Sequence, residues 1–426
     1  MVRNWAGNVD FRAPRRAEPE TLNEVRRLVA AETSVHALGT GHSFNTAADS
    51  RGLQLSTARL TGEIFIDEET ATVEVPAGMR YGELAVALAA RGWALGNLAS
   101  LPHISVAGSI ATGTHGSGDH NPSLAAAVCA LEIVVAGGDL LVLRRGDAGF
   151  AGAVVALGAL GVVTRVTLDI EPRYEIEQTV YEDVSWDALL ESPATATGAG
   201  YSVSLFTSFG RDDVLDQLWL KRRPDRDRAA PAQLLGARPA TRSRHPLPGM
   251  PGDTCTQQFG VAGPWHERLP HFRLAFIPSN GAELQSEYLM PRSEAAAVLG
   301  VLRALGPRIR PLLQACEVRT VAADDLWLSP AYQQDVIGLH FTWKLDQPAV
   351  EALLPELEAA LAPFAPRPHW GKLFTQDADA LRRLYPRFDD FAELVQRYDP
   401  EGVFRNDFLS TRLLGSADRV LARKVS

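Results

Sequence analysis

Apolar positions at Leu22, Val25, Leu28 and Val29 fall on one face at helical spacing and predict a helix within Glu18 to Ala31. VHAL follows as a short strand and runs into the turn LGTGHSFN at 38–45. GEIFIDEETATVEVPAG then reads as two strands around a polar turn, and YGELAVALAARG as a helix ending at Gly92. ALEIVVAGGDLLVLRR predicts a hairpin turning at Gly137-Gly138-Asp139, and GVVTRVTLDIEP a strand stopped by Pro172. Helices alternate with short strands and hairpins through residue 172, which predicts an α+β domain and no regular βαβ ladder.

Beyond Pro172 the polar stretches widen, and a Pro/Gly-rich linker, SRHPLPGMPGD, spans 243–253. A domain boundary is placed near residue 173. In VIGLHFTWKL, Ile337, Leu339, Phe341, Trp343 and Leu345 alternate with polar or small residues, so this is a strand with an apolar rear face and His340 and Thr342 together in front. The same parity in QACEVRTV puts Glu317 and Arg319 on one face, opposite Val318 and Thr320. PHWGKLF reads as a third such segment, with Trp370 and Lys372 on one side. AVEALLPELEAALAPF and SEAAAVLGVLRAL have helical periodicity and suit the role of covering the sheet's apolar side.

With 426 residues, the chain has room for two or three domains at roughly 100 to 200 residues each. A formal charge of −9 and the interruption of the most basic run, KRRPDRDR at 221–228, by acids argue against nucleic-acid binding. Cys129, Cys255 and Cys316 are far apart and odd in number, so they predict buried thiols and neither disulfides nor a zinc site. HERLPH at 266–271 has Pro270 where a zinc-binding helix needs its second histidine, so no metal is expected. MVRNWAGNVDF lacks the apolar core of a signal peptide, and no apolar run approaches the roughly 18 residues of a membrane span, so the expectation is a cytoplasmic protein, taken as a monomer.

Two glycine-rich stretches suggest a bound polyanion. Gly39 and Gly41 permit close approach to main-chain N–H groups, and SLPHISVAGSIATGTHGSG at 100–118 is small or hydroxylic at almost every position. Neither has the GxGxxG spacing that opens a nicotinamide-binding helix. These two stretches resemble the FAD-binding signature of the vanillyl-alcohol-oxidase type of flavoproteins, in the sugar-alcohol and aldonolactone oxidase branch. ELQSEYLMP, CEVRTVAADDLWLSPAY, HFTW, RPHWGK and DPEGVFRNDF look like segments of alditol (xylitol or sorbitol) oxidases in the same order.

The resemblance implies a two-domain α+β flavoprotein: an FAD-binding domain at 1–172, a substrate domain with a mainly antiparallel sheet backed by helices at 173–394, and a segment at 395–426 that returns to the first. It implies FAD carried covalently by His42. Ala37, Leu38, Gly39, Thr40, Gly41, His42 and Ser43 would line the pyrophosphate, and Ser105, Gly108, Thr112, Gly113, Thr114, His115 and the backbone of Val163 would contact FAD. Ser100 would lie near flavin and substrate, Ala99 would leave room for oxygen, and His369 is a further candidate flavin contact. His103, His120, Asn406 and Phe408 are read as structural.

On the substrate side the resemblance falls on Glu317, Arg319, His340, Thr342 and Lys372, the front face already given by strand parity. The implied reaction is hydride transfer from a terminal CH–OH carbon of a polyol to flavin N5, with His340 as base, Arg319 assisting, Lys372 or Arg319 stabilising the reduced flavin, and O₂ reduced to H₂O₂. An aldonolactone oxidase, or a dehydrogenase with another acceptor, is the alternative.

Overall fold

The protein is described here from a computed structural model covering residues 2–276 and 283–415. The predicted first helix forms at Leu22–Ala31, where the Thr21 side chain accepts a hydrogen bond from Glu24 N and Val25 and Val29 are buried. Those valines pack with Val35, Leu53 and Leu55 beneath a parallel sheet ordered Arg15–Ala17, Leu53–Ser56, Val35–Leu38. Its middle strand escapes sequence reading, because four residues give too short an alternation to stand out from the surrounding loop.

A five-stranded antiparallel sheet follows, ordered Phe65–Asp67, Thr72–Pro76, Val162–Asp169, Val128–Val134, Leu140–Arg144. It contains the predicted hairpin. The Val162 strand ends at Asp169, ahead of Pro172 as expected, and Glu171–Pro172 form a separate short pairing with Trp93–Ala94, which ties the end of this region to the chain just after the Tyr81–Ala90 helix.

The remaining strands form one antiparallel sheet, with Leu313–Val321, Val336–Lys344 and Glu283–Pro291 adjacent at its heart. Leu339, Phe341 and Trp343 point to the rear, and Phe341 stacks on Trp343 at 5.0 Å between ring centres. They share one core with Leu302 and Leu353 of the covering helices Ala295–Ile309 and Gln347–Leu361. Leu345 departs from the expected rear face, lying past the strand end and 53% exposed.

Two other expectations are corrected. SRHPLPGMPGD is no linker between domains: Gln217 donates to the His245 carbonyl at 2.9 Å, and Pro246 and Leu247 help wall the main cavity. PHWGKLF is not a strand beyond Arg367–Pro368 but turns, with Lys372 N donating to the His369 carbonyl at 3.0 Å. Trp370 and Lys372 therefore diverge: the indole donates to the Leu328 carbonyl at 2.7 Å, and the ammonium points to Glu287. Cys255 and Cys316 are buried as expected, whereas Cys129 is partly exposed. No helix among the described residues is long and apolar enough to cross a membrane.

The chain end closes against its beginning. Val35 N donates to the Val403 carbonyl at 2.8 Å, and the Asn406 amide donates to the carbonyls of Ala47 and Asp49 at 2.9 Å. Phe408 packs edge-on to Phe374.

Candidate active site

A single cavity collects most of the predicted residues. Ala37 through Ser43, Ala99, Ser100, Gly108, Thr112, Thr114, His115 and Val163 line it from one side, and Glu317, Arg319, His340, Thr342, His369 and Lys372 from the other. Ser105 and Gly113 are not on its wall; Ser105 lies behind Gly39, and Gly113 is a turn whose N–H bonds to the Ile110 carbonyl. His103 contacts the Leu274 carbonyl at 2.9 Å, and His120 is exposed; neither lines this cavity.

On the glycine-loop side the backbone itself is the surface. A Cβ at Gly39 would sit 2.5 Å from Ser105 Oγ, and Gly41 has φ of +70°, so both positions suit glycine. The His42 ring stacks on Trp5 at 5.2 Å, and its Nδ1 is buried without a partner. Burial, with the charges of His103 and Arg80, pushes His42 down to about 4, which leaves a neutral imidazole at pH 7. Ser105 Oγ is likewise buried and unpartnered. Val163 flanks a bulge, since the partners of Glu132 and Ile133 skip from Arg165 to Val163, and this interrupts the ladder where the strand meets the cavity.

Backbone contacts fasten this wall to the opposite one. Phe44 N donates to the Gly371 carbonyl at 2.7 Å, and the Asn45 amide to the carbonyls of Trp370 and Lys372 at 2.8 Å. The turn that carries Lys372 is thus held by the turn that carries His42.

The strand-face wall is a charge network. Glu317 and Glu287 both stand directly across from His340, one on each neighbouring strand. Glu287, 1% exposed, receives the Arg319 guanidinium at 2.7 Å and the Lys372 ammonium at 2.5 Å, with His115 Nε2 at 3.3 Å. Burial alone would raise this carboxyl, but Arg319, Lys372 and His115 hold it well below the usual range. Glu317 is depressed in the same way by Arg319 and His271 against its own burial.

Lys372 Nζ also lies 2.5 Å from His340 Nδ1, and His340 Nε2 lies 3.3 Å from Thr342 Oγ1. Burial, and then Lys372, push His340 down to about 4; burial lowers Lys372 to about 8 despite Glu287. His369 accepts from Gly371 N at Nδ1 and is held neutral by burial. The wall therefore offers placed donors and acceptors around balanced charges, the arrangement an uncharged, hydroxyl-rich molecule needs.

Sequence reasoning misses Glu287, His271 and Lys221. Glu287 is legible in principle, since Glu283, Gln285 and Glu287 in ELQSEYLMP alternate with Leu284 and Ser286 by the parity that reveals His340. His271 enters the sequence reading only as part of a failed zinc motif; it lines the cavity and contacts Glu317 at 3.1 Å. Lys221 lies in the basic run and gives no signal of its burial.

Comparison with known proteins adds to the geometry. The FAD binding domain family matches residues 14–144, and the D-arabinono-1,4-lactone oxidase family residues 282–412. Alditol oxidase of a Streptomyces strain is 50% identical over 417 residues, 97% of this chain and 99% of that protein. L-gulono-1,4-lactone dehydrogenase of Mycobacterium tuberculosis is 28% identical over 97% of this chain and 98% of its own length. A cholesterol oxidase from Brevibacterium sterolicum superposes with a TM-score of 0.78 over 97% of this chain and 96% of its own, at 16% identity, a likeness of fold alone.

Proposed function

Because the chain belongs to the alditol oxidase family of FAD-linked oxidoreductases, we propose that it oxidises the terminal CH–OH of a polyol such as xylitol or sorbitol to the aldose, reducing O₂ to H₂O₂. The observation that carries this reading is one cavity lined by both the His42 turn and the Glu317, Arg319, His340, Thr342 and Lys372 face. FAD, when bound, supplies a hydride acceptor at N5 that O₂ can regenerate.

The glycine-loop wall fits such a group because it leaves His42 Nδ1 without a partner and keeps Gly39 bare of a Cβ. We read Ala37 to Ser43, Gly108, Thr112, Thr114, His115 and Val163 as the residues that hold it, with Ser105 and Gly113 shaping their backbone from behind. His42, neutral and therefore nucleophilic, is the residue we assign to covalent attachment. In this reading 1–172 and the returning segment from residue 395 carry the cofactor and 173–394 the substrate face, in a cytoplasmic monomer; the Val35–Val403 and Asn406–Ala47 bonds support that grouping, and 416–426 of the 395–426 segment lie outside the described residues.

Glu317 accepts from substrate hydroxyls while Arg319 and Thr342 donate, which discriminates by roughly 10⁴ against molecules lacking the hydroxyl. His340 takes the proton of the reacting hydroxyl at Nε2. The group has little basicity of its own, but Lys372 sits on Nδ1: with Lys372 neutral, the Nδ1 proton passes to Nζ as Nε2 gains one. The charge ends on Lys372, beside Glu287. Arg319 holds Glu287 in place for this transfer and presents a fixed positive charge to the cavity.

The match of residues 282–412 to the D-arabinono-1,4-lactone oxidase family supports a second reading, oxidation of an aldonolactone. Oxygen uptake and peroxide formation separate the two. Turnover with xylitol or sorbitol and little with an aldonolactone is expected, and the reverse preference would overturn the polyol assignment.

A further inference from the structure

Behind the cavity wall, on the Val214–Arg222 strand, Lys221 is only 1% exposed. Its ammonium donates to the Leu269 carbonyl and lies 3.0 Å from His271 Nδ1. The other ring nitrogen, Nε2, lies 3.1 Å from Glu317 Oε1. Glu317 is ionised and can only accept, so Nε2 carries the ring proton and Nδ1 is the nitrogen that accepts from Lys221, an amine that donates in either state although burial lowers it to about 7.

The ring has no freedom to turn. Phe206 and Trp219 stand edge-on to it at 5.5 and 5.0 Å, and His271 N donates to the Ser100 carbonyl at 3.2 Å. Burial, followed by the Lys221 charge, keeps the imidazole neutral, down to about 4. The opposite tautomer would set a nitrogen lone pair against the carboxylate and push Glu317 off its position.

Resting on the polyol reading, we infer that Lys221 and His271 are positioning residues for substrate recognition: Lys221 fixes the tautomer of His271, and His271 pins Glu317 Oε1 so that Oε2 stays aimed at the substrate's outer hydroxyls. Glu317 Oε2 has Arg319 Nε at 3.7 Å, too far for a hydrogen bond, and so keeps accepting capacity toward the cavity. Neither residue touches the reacting carbon. Losing them should weaken binding of a multi-hydroxyl substrate far more than the chemical step.

The test uses flavin-loaded Lys221→Met, His271→Phe and His271→Gln with xylitol and with 1,2-propanediol, which offers a primary CH–OH but lacks the outer hydroxyls. With xylitol, K221M and H271F should raise KM at least about tenfold with kcat within about twofold. H271Q, whose amide still donates to Glu317, should recover much of that loss. With 1,2-propanediol the three variants should stay within about twofold of the parent enzyme in kcat/KM. Equal losses on both substrates, a fall in kcat at constant KM, or no change in either would overturn the inference. Should K221M fail to hold flavin, the H271F and H271Q pair decides alone. A parent enzyme that leaves xylitol untouched would instead count against the polyol reading itself.

Discussion

The two walls of the cavity are polar in opposite ways. The glycine-loop wall leaves a buried group open, His42 Nδ1, and presents mostly backbone. The strand-face wall spends most of its polarity on itself: Glu287 gathers Arg319, Lys372 and His340, joined by His115 from the facing wall, although Arg319 Nε is left open. An unpaired buried polar group costs about 1–3 kcal/mol until something bonds to it, so the first wall is completed by what it binds. The second already holds Glu287 and its cations together, which is the preorganisation a charge-shifting reaction requires.

The strongest blow to this contrast is Glu287→Gln, which leaves Arg319 and Lys372 buried without their shared carboxylate. Denaturant unfolding should show a loss of about 3 to 5 kcal/mol, and turnover should collapse. A mild effect would mean the network is not what holds that wall together.

Next in size is Lys372→Met, where kcat should fall by about 10² or more while the flavin spectrum and content persist. In the parent enzyme the active form has neutral Lys372 and neutral His340. His340, down near 4, is already neutral above about pH 5; Lys372 loses its proton as pH climbs through about 8, so kcat should rise across that interval and level off above it. That limb should be absent from Lys372→Met. Loss of colour in the variant would instead move Lys372 to the cofactor-holding wall.

Smaller again is Thr342→Val, which removes a hydroxyl beside His340 Nε2 at nearly constant volume. KM for xylitol should rise about tenfold with a modest change in kcat, the worth of about one hydrogen bond. The mildest change tests the other wall: Gly39→Ala puts a methyl against Ser105 Oγ, which can swing aside at a cost of about 1 kcal/mol. Flavin per protein, read by absorbance, should fall while kcat per bound flavin holds.

The contrast also explains how far the amino-acid sequence reveals each wall. Strand alternation is a local signal, so Glu317, Arg319, His340 and Thr342 are legible as one face from the order of residues alone, and Glu287 is by the same count. The 369–372 turn defeats that rule, because Gly371 and the bonds from Phe44 and Asn45 bend the chain where the apparent alternation continues. Lys221 and His271 carry no local pattern; their meeting depends on packing between segments 50 residues apart in sequence. On the glycine-loop side composition suggests a polyanion site, but only the resemblance to a flavoprotein signature singles out His42.

The most direct measurement is acid precipitation of the purified protein, followed through the visible spectrum of pellet and supernatant for the parent enzyme, His42→Ala and Lys372→Met. Yellow colour should stay with the pellet in the parent and in Lys372→Met, and any flavin bound by His42→Ala should pass to the supernatant. Release of flavin from the parent enzyme would contradict the assignment of His42 as the covalent tether of the flavin.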